Sequence, residues 1–285
     1  MLRCPQADGP GEVGVNLMTR GAARGSSRLG SRLKAIAMAA LPLSAWRRLL
    51  RLPHVRALRD ALVGPSDTGH LAEGPVKFER LQFQFAAPYH TWIKARQKGI
   101  ENRICRLFLS QCQDGFVGID VGANCGFISM VIALAVGPTG KVLSFEADSS
   151  YFDVLRRNVR LNGLDGVCEP FHAFVGQTSS GDGRVSVDDV VRRRGLTRVD
   201  AMKVDVDGPD LEVLHGAKET LQRFRPLVVV EMSEKQDAIY RFLKDEVGYT
   251  TLVDQSGEGV VPGQWPLNLI ASDGAIVIPK RGELS

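Results

Sequence analysis

Between Phe116 and Phe127 the chain reads FVGIDVGANCGF: an apolar run, then Gly122, Asn124 and Gly126 in alternation, then a second apolar run. So much glycine would spoil an ordinary buried strand. The segment therefore demands a strand that ends in a very tight turn, or a backbone that something approaches closely. A rhythm follows. Strand patterns at 116–121, 141–145, 167–175, 200–206 and 226–232 alternate with helical patterns at 127–136, 151–161, 211–224 and 235–247. Asn162-Gly163 supplies a helix stop. The stretch 185–194 reads as a short strand and a short helix, and strands at 249–253 and 267–278 close the chain. Strands alternating with helices build a mostly parallel, doubly wound α/β sheet with helices on both faces.

Ahead of this core, 76–85 suits a strand or hairpin and 101–112 a helix. The region 76–101, with Phe83, Phe85, Tyr89, His90 and Trp92, suits either a lid over the carboxyl ends of the strands or a packed hairpin. The N-terminal part differs in kind. Residues 1–33 are rich in Gly, Arg and Ser without apolar periodicity, as expected of a disordered basic arm. Residues 34–75 hold two short amphipathic patterns, with Leu43, Trp46 and Leu50, then Val55, Leu58 and Leu62, at helical spacing. The main domain is read as 76–285.

Charge is divided the same way. Residues 1–59 carry eleven Lys/Arg against two acids, so +9; the whole chain is +4, which leaves 4 − 9 = −5 for the remainder. The main domain is therefore not read as a nucleic-acid binder. The basic arm caps the domain or rests weakly on anionic lipid. Five cysteines, without a CxxC pair, read as free thiols of a cytoplasmic protein. No His/Cys cluster has ligand spacing, so no metal is expected.

A strand, a glycine turn and a helix form the nucleotide-cradling unit of doubly wound folds. The dinucleotide pattern G-x-G-x-x-G, started at Gly122, would need glycines where Asn124 and Phe127 stand, so an NAD-type ligand is disfavoured. The pattern Asp120-x-Gly122-x-Asn124-x-Gly126 instead resembles motif I of class I methyltransferases, which bind S-adenosylmethionine. Downstream, an ordered set resembles the FkbM methyltransferase family: "LNGL" at 161–164, "VDD" at 187–189, "KVDVDG" at 203–208, "LEVLHGA" at 211–217 and "PLVVVE" at 226–231. "GIE" at 99–101 resembles a segment ahead of motif I. The resemblance covers roughly 99–278. Asp207 departs from the family's usual Glu, and Pro209-Asp210 from its small-then-acidic pair.

The resemblance implies a Rossmann-like fold, S-adenosylmethionine as cofactor, and O-methylation of a sugar or natural-product acceptor. Asp120 is placed to accept from the cofactor's ammonium, and Asn124 can pair with its carboxylate. Gly122 and Gly126 would admit the ligand to the backbone. Glu146, at the next strand end, is placed to grip the ribose hydroxyls. Ala173, with His172 or Phe174, is placed at the adenine. Asp205 is the favoured base, with Asp207, Glu231, His172 and His90 as alternatives; Asp207 also reads as a helix N-cap, Lys203 as a strand-end contact and His215 as structural. A non-catalytic binding protein acting through its basic arm is the competing reading.

Overall fold

The computed structural model describes residues 71–284, so the arm 1–33 and most of the amphipathic segment 34–75 lie outside the described residues. The chain divides into two units, Met1–Glu73 and Gly74–Ser285. A hairpin comes first, β1 (Leu71–Phe78) paired with β2 (Leu81–Pro88). It starts inside the segment assigned above to the linker. Helices α1 (Tyr89–Lys98) and α2 (Asn102–Gln111) follow.

The alternating core is then β3 (Val117–Val121), α3 (Phe127–Val136), β4 (Lys141–Glu146), α4 (Ser149–Leu161) and β5 (Cys168–His172). Two short strands, β6 (Phe174–Val175) and β7 (Arg184–Val185), pair with each other outside the main sheet. After them come α5 (Val187–Arg193), β8 (Ala201–Val204), α6 (Asp210–His215), α7 (Lys218–Phe224), β9 (Leu227–Glu231) and α8 (Gln236–Arg241). A π-helical turn at Phe242–Val247 leads to β10 (Thr251–Asp254) and β11 (Asn268–Ser272).

The seven-stranded sheet has the order β10-β11-β9-β8-β3-β4-β5. Its five strands from β9 to β5 are parallel, β11 runs antiparallel beside β9, and β10 pairs antiparallel with β11 and so runs in the direction of the five. The chain winds outward through β4 and β5, then returns to β8 on the other side of β3. That reversal puts a crevice between the carboxyl ends of β3 and β8, where open α/β sheets bind their ligands. This is the Rossmann-like architecture expected from the alternation.

Several predicted elements are shorter for local reasons. The strand pattern at 167–175 breaks at Ala173, whose N–H still bonds the Glu146 carbonyl at 3.1 Å before the chain leaves the sheet. The helix at 211–224 breaks at Gly216, where a Cβ would lie 2.1 Å from the Gly176 carbonyl oxygen. The second half is capped from outside: the Asp188 carboxylate accepts from the N–H groups of Glu219 and Thr220 and from the Thr220 hydroxyl. That bond set gives the VDD motif a structural purpose. The terminal strand ends at Ser272, short of the predicted 278.

The glycines of the opening turn answer to the chain itself. At Gly122, with φ 78°, a Cβ would sit 1.8 Å from the Asp205 carbonyl oxygen. At Gly126, with φ 84°, it would meet Leu155 Cδ1 of α4 at 2.4 Å. The close approach is therefore made by protein before any ligand arrives. The aromatic residues of the hairpin are likewise spent on packing: Phe78, Phe83 and Phe85 surround Phe127, the first residue of α3, at centroid distances of 5.9, 5.4 and 5.3 Å. The hairpin is packed cover for the start of α3, and its phenylalanines do not line a lid.

Gly126→Ala is expected to lower stability by more than about 1 kcal/mol, since the residue must hold a left-handed conformation and displace Leu155. Thermal melts of Gly126→Ala, Leu155→Ala and the double variant test the contact. The double variant should lose less than the sum of the single losses; strict additivity would show that the two residues do not compete for space.

Candidate active site

Asp120 and Lys203 are register partners on the adjacent strands β3 and β8. Residues two apart on a strand share a face, so Asp205, just past the end of β8, stands above Lys203. The Lys203 ammonium donates to Asp205 Oδ2 at 3.0 Å and lies 3.9 Å from Asp120 Oδ1. Asp120 is completely buried. Its Oδ2 accepts from the Ser129 hydroxyl of α3 at 2.6 Å, whereas its Oδ1 has no hydrogen-bond partner.

Two further carboxyls join this cluster. Glu231, at the end of β9, is hydrogen-bonded to Asp205. Glu101 precedes α2 in a left-handed conformation, with φ 47°, and interacts with Lys203, Asp205 and Asp120. Lys203 thus faces the carboxyls of Asp205, Glu101 and Asp120, Glu231 joins them through Asp205, and Lys94 acts on Glu101 as a second cation. Burial works against the charge on Lys203, but Asp205, Glu101 and Asp120 outweigh it and its pKa is raised. Burial alone would raise Asp205; the Lys203 ammonium and the bond from Glu231 bring it below its ordinary value. The rest of the cluster lacks enough positive charge. Burial pushes Asp120 and Glu101 up despite Lys203. Burial and the Asp205 carboxylate push Glu231 up to about 9. A cationic ligand placed among these carboxyls would bring their pKa values down again.

The other predicted residues lie along the same edge of the sheet. Glu146, largely buried at the end of β4, accepts the Asn124 N–H at 2.7 Å on Oε2 and the Asp148 N–H at 2.8 Å on Oε1. Burial raises its pKa against these bonds. Each oxygen keeps a second lone pair for a ligand hydroxyl. Asn124, exposed and left-handed with φ 52°, turns its Oδ1 back to the Cys125 N–H at 2.8 Å, which leaves its NH2 to donate. The helix α3 has Gly126 at its N-cap and no side-chain cap, so its first N–H groups remain available to an anion. Ala173 is half-buried beside Glu146 at the end of β5. Asp120, Gly122, Asn124, Gly126, Glu146 and Ala173 therefore follow one another across β3, β4 and β5, with Asp205 on the far side of the crevice.

Some expectations need correction. Asp207 is not an N-cap: it is left-handed with φ 56°, and α6 starts after Pro209. Asp210 orders this loop, accepting from the Val206 N–H at 3.0 Å and the Ser233 hydroxyl at 2.5 Å. His172 stacks on Phe152 at 5.0 Å, and β5 is three strands from β8. At the usual spacing of strands that is about 14 Å, too far for a shared proton. His215 packs edge-on against Phe242 and is structural, as expected. Sequence reasoning left Glu101 without a role and did not consider Ser129. Its usable signal was spacing: Ser129 is the third residue of the helix that follows Asp120.

Residues 184–250 match the Methyltransferase FkbM domain. Over 171 aligned positions the chain is 30% identical to the methyltransferase sdnD of Sordaria araneosa, with coverage of 41% of this chain and 66% of that protein. The chain thus spans just under two thirds of that relative's length. A solved FkbM methyltransferase from Methylobacillus flagellatus KT is 17% identical, with 56% of this chain and 44% of that one covered and a TM-score of 0.41. A methyltransferase from Geobacter sulfurreducens is 16% identical, with coverage of 85% and 95% and a TM-score of 0.40.

The raised Glu231 carboxyl sets a pH dependence of known sign. The folded state holds that proton more tightly than the unfolded chain, whose ordinary value is 4.5. The resulting stability is complete below that value and is lost as pH rises towards about 9. Asp205 acts oppositely, and its contribution is lost only on acidification. Melting temperatures from about pH 5 to about pH 9 should fall in the native protein and fall less steeply in Glu231→Gln. Equal slopes in the two proteins would contradict the assignment.

Proposed function

We propose that this chain, an FkbM-type methyltransferase relative matched at residues 184–250, is an S-adenosylmethionine-dependent methyltransferase that acts on a hydroxyl of a sugar or small natural-product acceptor. The observation that carries the reading is Asp120 Oδ1, a buried acceptor without a hydrogen-bond partner in a cluster short of positive charge. Beside it are a glycine turn and an uncapped helix N-terminus. A ligand with an ammonium for the carboxylates and a carboxylate for the helix fits both needs.

In this reading Asp120 and Glu101 hold the ammonium, and Asn124 with the first N–H groups of α3 holds the carboxylate. Glu146 takes the ribose hydroxyls and Ala173 borders the adenine. When bound, the cofactor supplies a methyl group on a sulfonium, which is electrophilic without further activation. The chain's remaining task is to position the acceptor and take its proton. Asp205 is kept ionised by Lys203 and is hydrogen-bonded to the protonated Glu231. It accepts the hydrogen bond of the acceptor hydroxyl, and the two carboxyls receive the proton as a pair. The cysteines among the described residues are buried free thiols, which supports a cytoplasmic setting. Weak membrane contact through residues 1–59 belongs to the same reading.

Calorimetry with S-adenosylmethionine, S-adenosylhomocysteine and NAD should give binding to the first two alone, and labelled cofactor should pass its methyl group to a hydroxylated acceptor in a compound screen. Asp205→Asn should then lower kcat by about 100-fold or more while cofactor affinity stays within about threefold. Binding of NAD in place of the other two, or full turnover by Asp205→Asn, would overturn the respective assignment.

A further inference from the structure

The LNGL motif has no part in the chemistry above, yet its asparagine belongs to an unusual contact. Asn158 and Asn162 are four residues apart at the end of α4, so they face the same way about 6 Å apart. Gln84 and Ala86 are two residues apart on β2, so their backbone groups leave the same edge about 6.8 Å apart. The two spacings match, and each side-chain amide pairs with one strand residue as a neighbouring strand would. Asn162 Oδ1 accepts the Gln84 N–H and its Nδ2 donates to the Gln84 carbonyl, both at 2.8 Å. Asn158 Oδ1 accepts the Ala86 N–H at 2.6 Å, and its Nδ2 donates to the Ala86 carbonyl at 2.8 Å. The edge of β2 that β1 leaves open is thereby closed by side chains.

Asn158 does one thing more. The same Nδ2 donates to the carbonyl of Cys125, at 2.7 Å, in the turn between Gly122 and Gly126. Asn158 is fully buried, and a site with one donor and two acceptors can be served by a carboxamide but not by a carboxylate or an apolar side chain. We propose that Asn158 is a positioning residue: it locks the glycine turn to the hairpin, so that the turn's conformation depends on the hairpin being docked. Phe127, which follows the turn and carries the three hairpin phenylalanines, reinforces the link from the other side. Cofactor affinity then depends on a segment to which the function proposed above, on which this consequence rests, assigns no cofactor contact.

Asn158→Asp and Asn162→Asp separate this role from simple docking: both disturb β2, and Asn162 Nδ2 also reaches the Asn158 carbonyl at 2.7 Å and Met130 Sδ at 3.8 Å, but Asn158 alone of the two bonds the turn itself. Hydrogen exchange in the cofactor-free protein reads the turn directly through the amides of Asn124, Cys125 and Gly126. Asn158→Asp should speed their exchange by about tenfold or more and weaken S-adenosylmethionine binding by a similar factor, with kcat at saturation largely kept. Asn162→Asp should change both by about twofold at most. Equal effects of the two variants, or unchanged turn exchange in Asn158→Asp, would overturn the proposal. Should Asn158→Asp not fold, Ala86→Pro deletes the N–H given to Asn158 from the hairpin side. It must then speed exchange in the turn, and unchanged exchange would again overturn the proposal. If the native protein binds no S-adenosylmethionine, the functional reading fails while the exchange comparison still decides the coupling.

Discussion

A single buried ammonium organises this protein's crevice. Lys203 lies where β3 meets β8, the point at which the winding of the sheet reverses, and it draws carboxyls from three separate stretches of chain, with Glu231 joined to them through Asp205. Burying a charge is costly unless it is paired, and breaking such a pair leaves an uncompensated charge inside. Here the pairing is deliberately lopsided. Lys203 holds the Asp205 pKa down, while burial pushes the Asp120, Glu101 and Glu231 carboxyls up. A site in that condition is poised for a positively charged ligand, and it already contains a carboxyl pair able to take up a proton.

The glycine turn is built on the same economy of space. Its two glycines are required by the Asp205 carbonyl and by Leu155, so the turn is shaped by the sheet and by α4. The turn leaves exposed the Asn124 amide and the uncapped N–H groups of α3, and the Glu146 carboxylate ties Asn124 to the next strand. Left-handed backbone at Glu101, Asn124 and Asp207 flanks this crevice. Such conformations cost energy and persist where the surroundings over-determine them, which is common at functional sites.

Much of this was legible in the sequence, because it rests on local patterns. The alternation of apolar strands with amphipathic helices specified the doubly wound sheet, and the spacing from Asp120 to Gly126 and on to Glu146 put the residues proposed for the cofactor at successive strand ends. What escaped was non-local. Nothing in "KVDVDG" says that Lys203 stands beside Asp120, since that depends on the register of two strands far apart in sequence. Glu101 was visible only as part of a resemblance, because its position is set by a left-handed turn. The buried Asn158 looks from its helix like any polar residue; its meaning depends on an edge of β2 more than seventy residues away. Breaks at Ala173 and Gly216 came from tertiary contacts overriding a continuous pattern.

In the proposed function the cluster around Lys203 meets the cationic end of S-adenosylmethionine. A crystal structure of the full chain grown with S-adenosylhomocysteine, which keeps the ammonium, tests it most directly. The account predicts the ligand ammonium within hydrogen-bond distance of Asp120 Oδ1, directly or through one water, with the ribose hydroxyls at Glu146. A ligand bound elsewhere on the protein, or Asp120 Oδ1 still without a partner beneath an occupied turn, would contradict it.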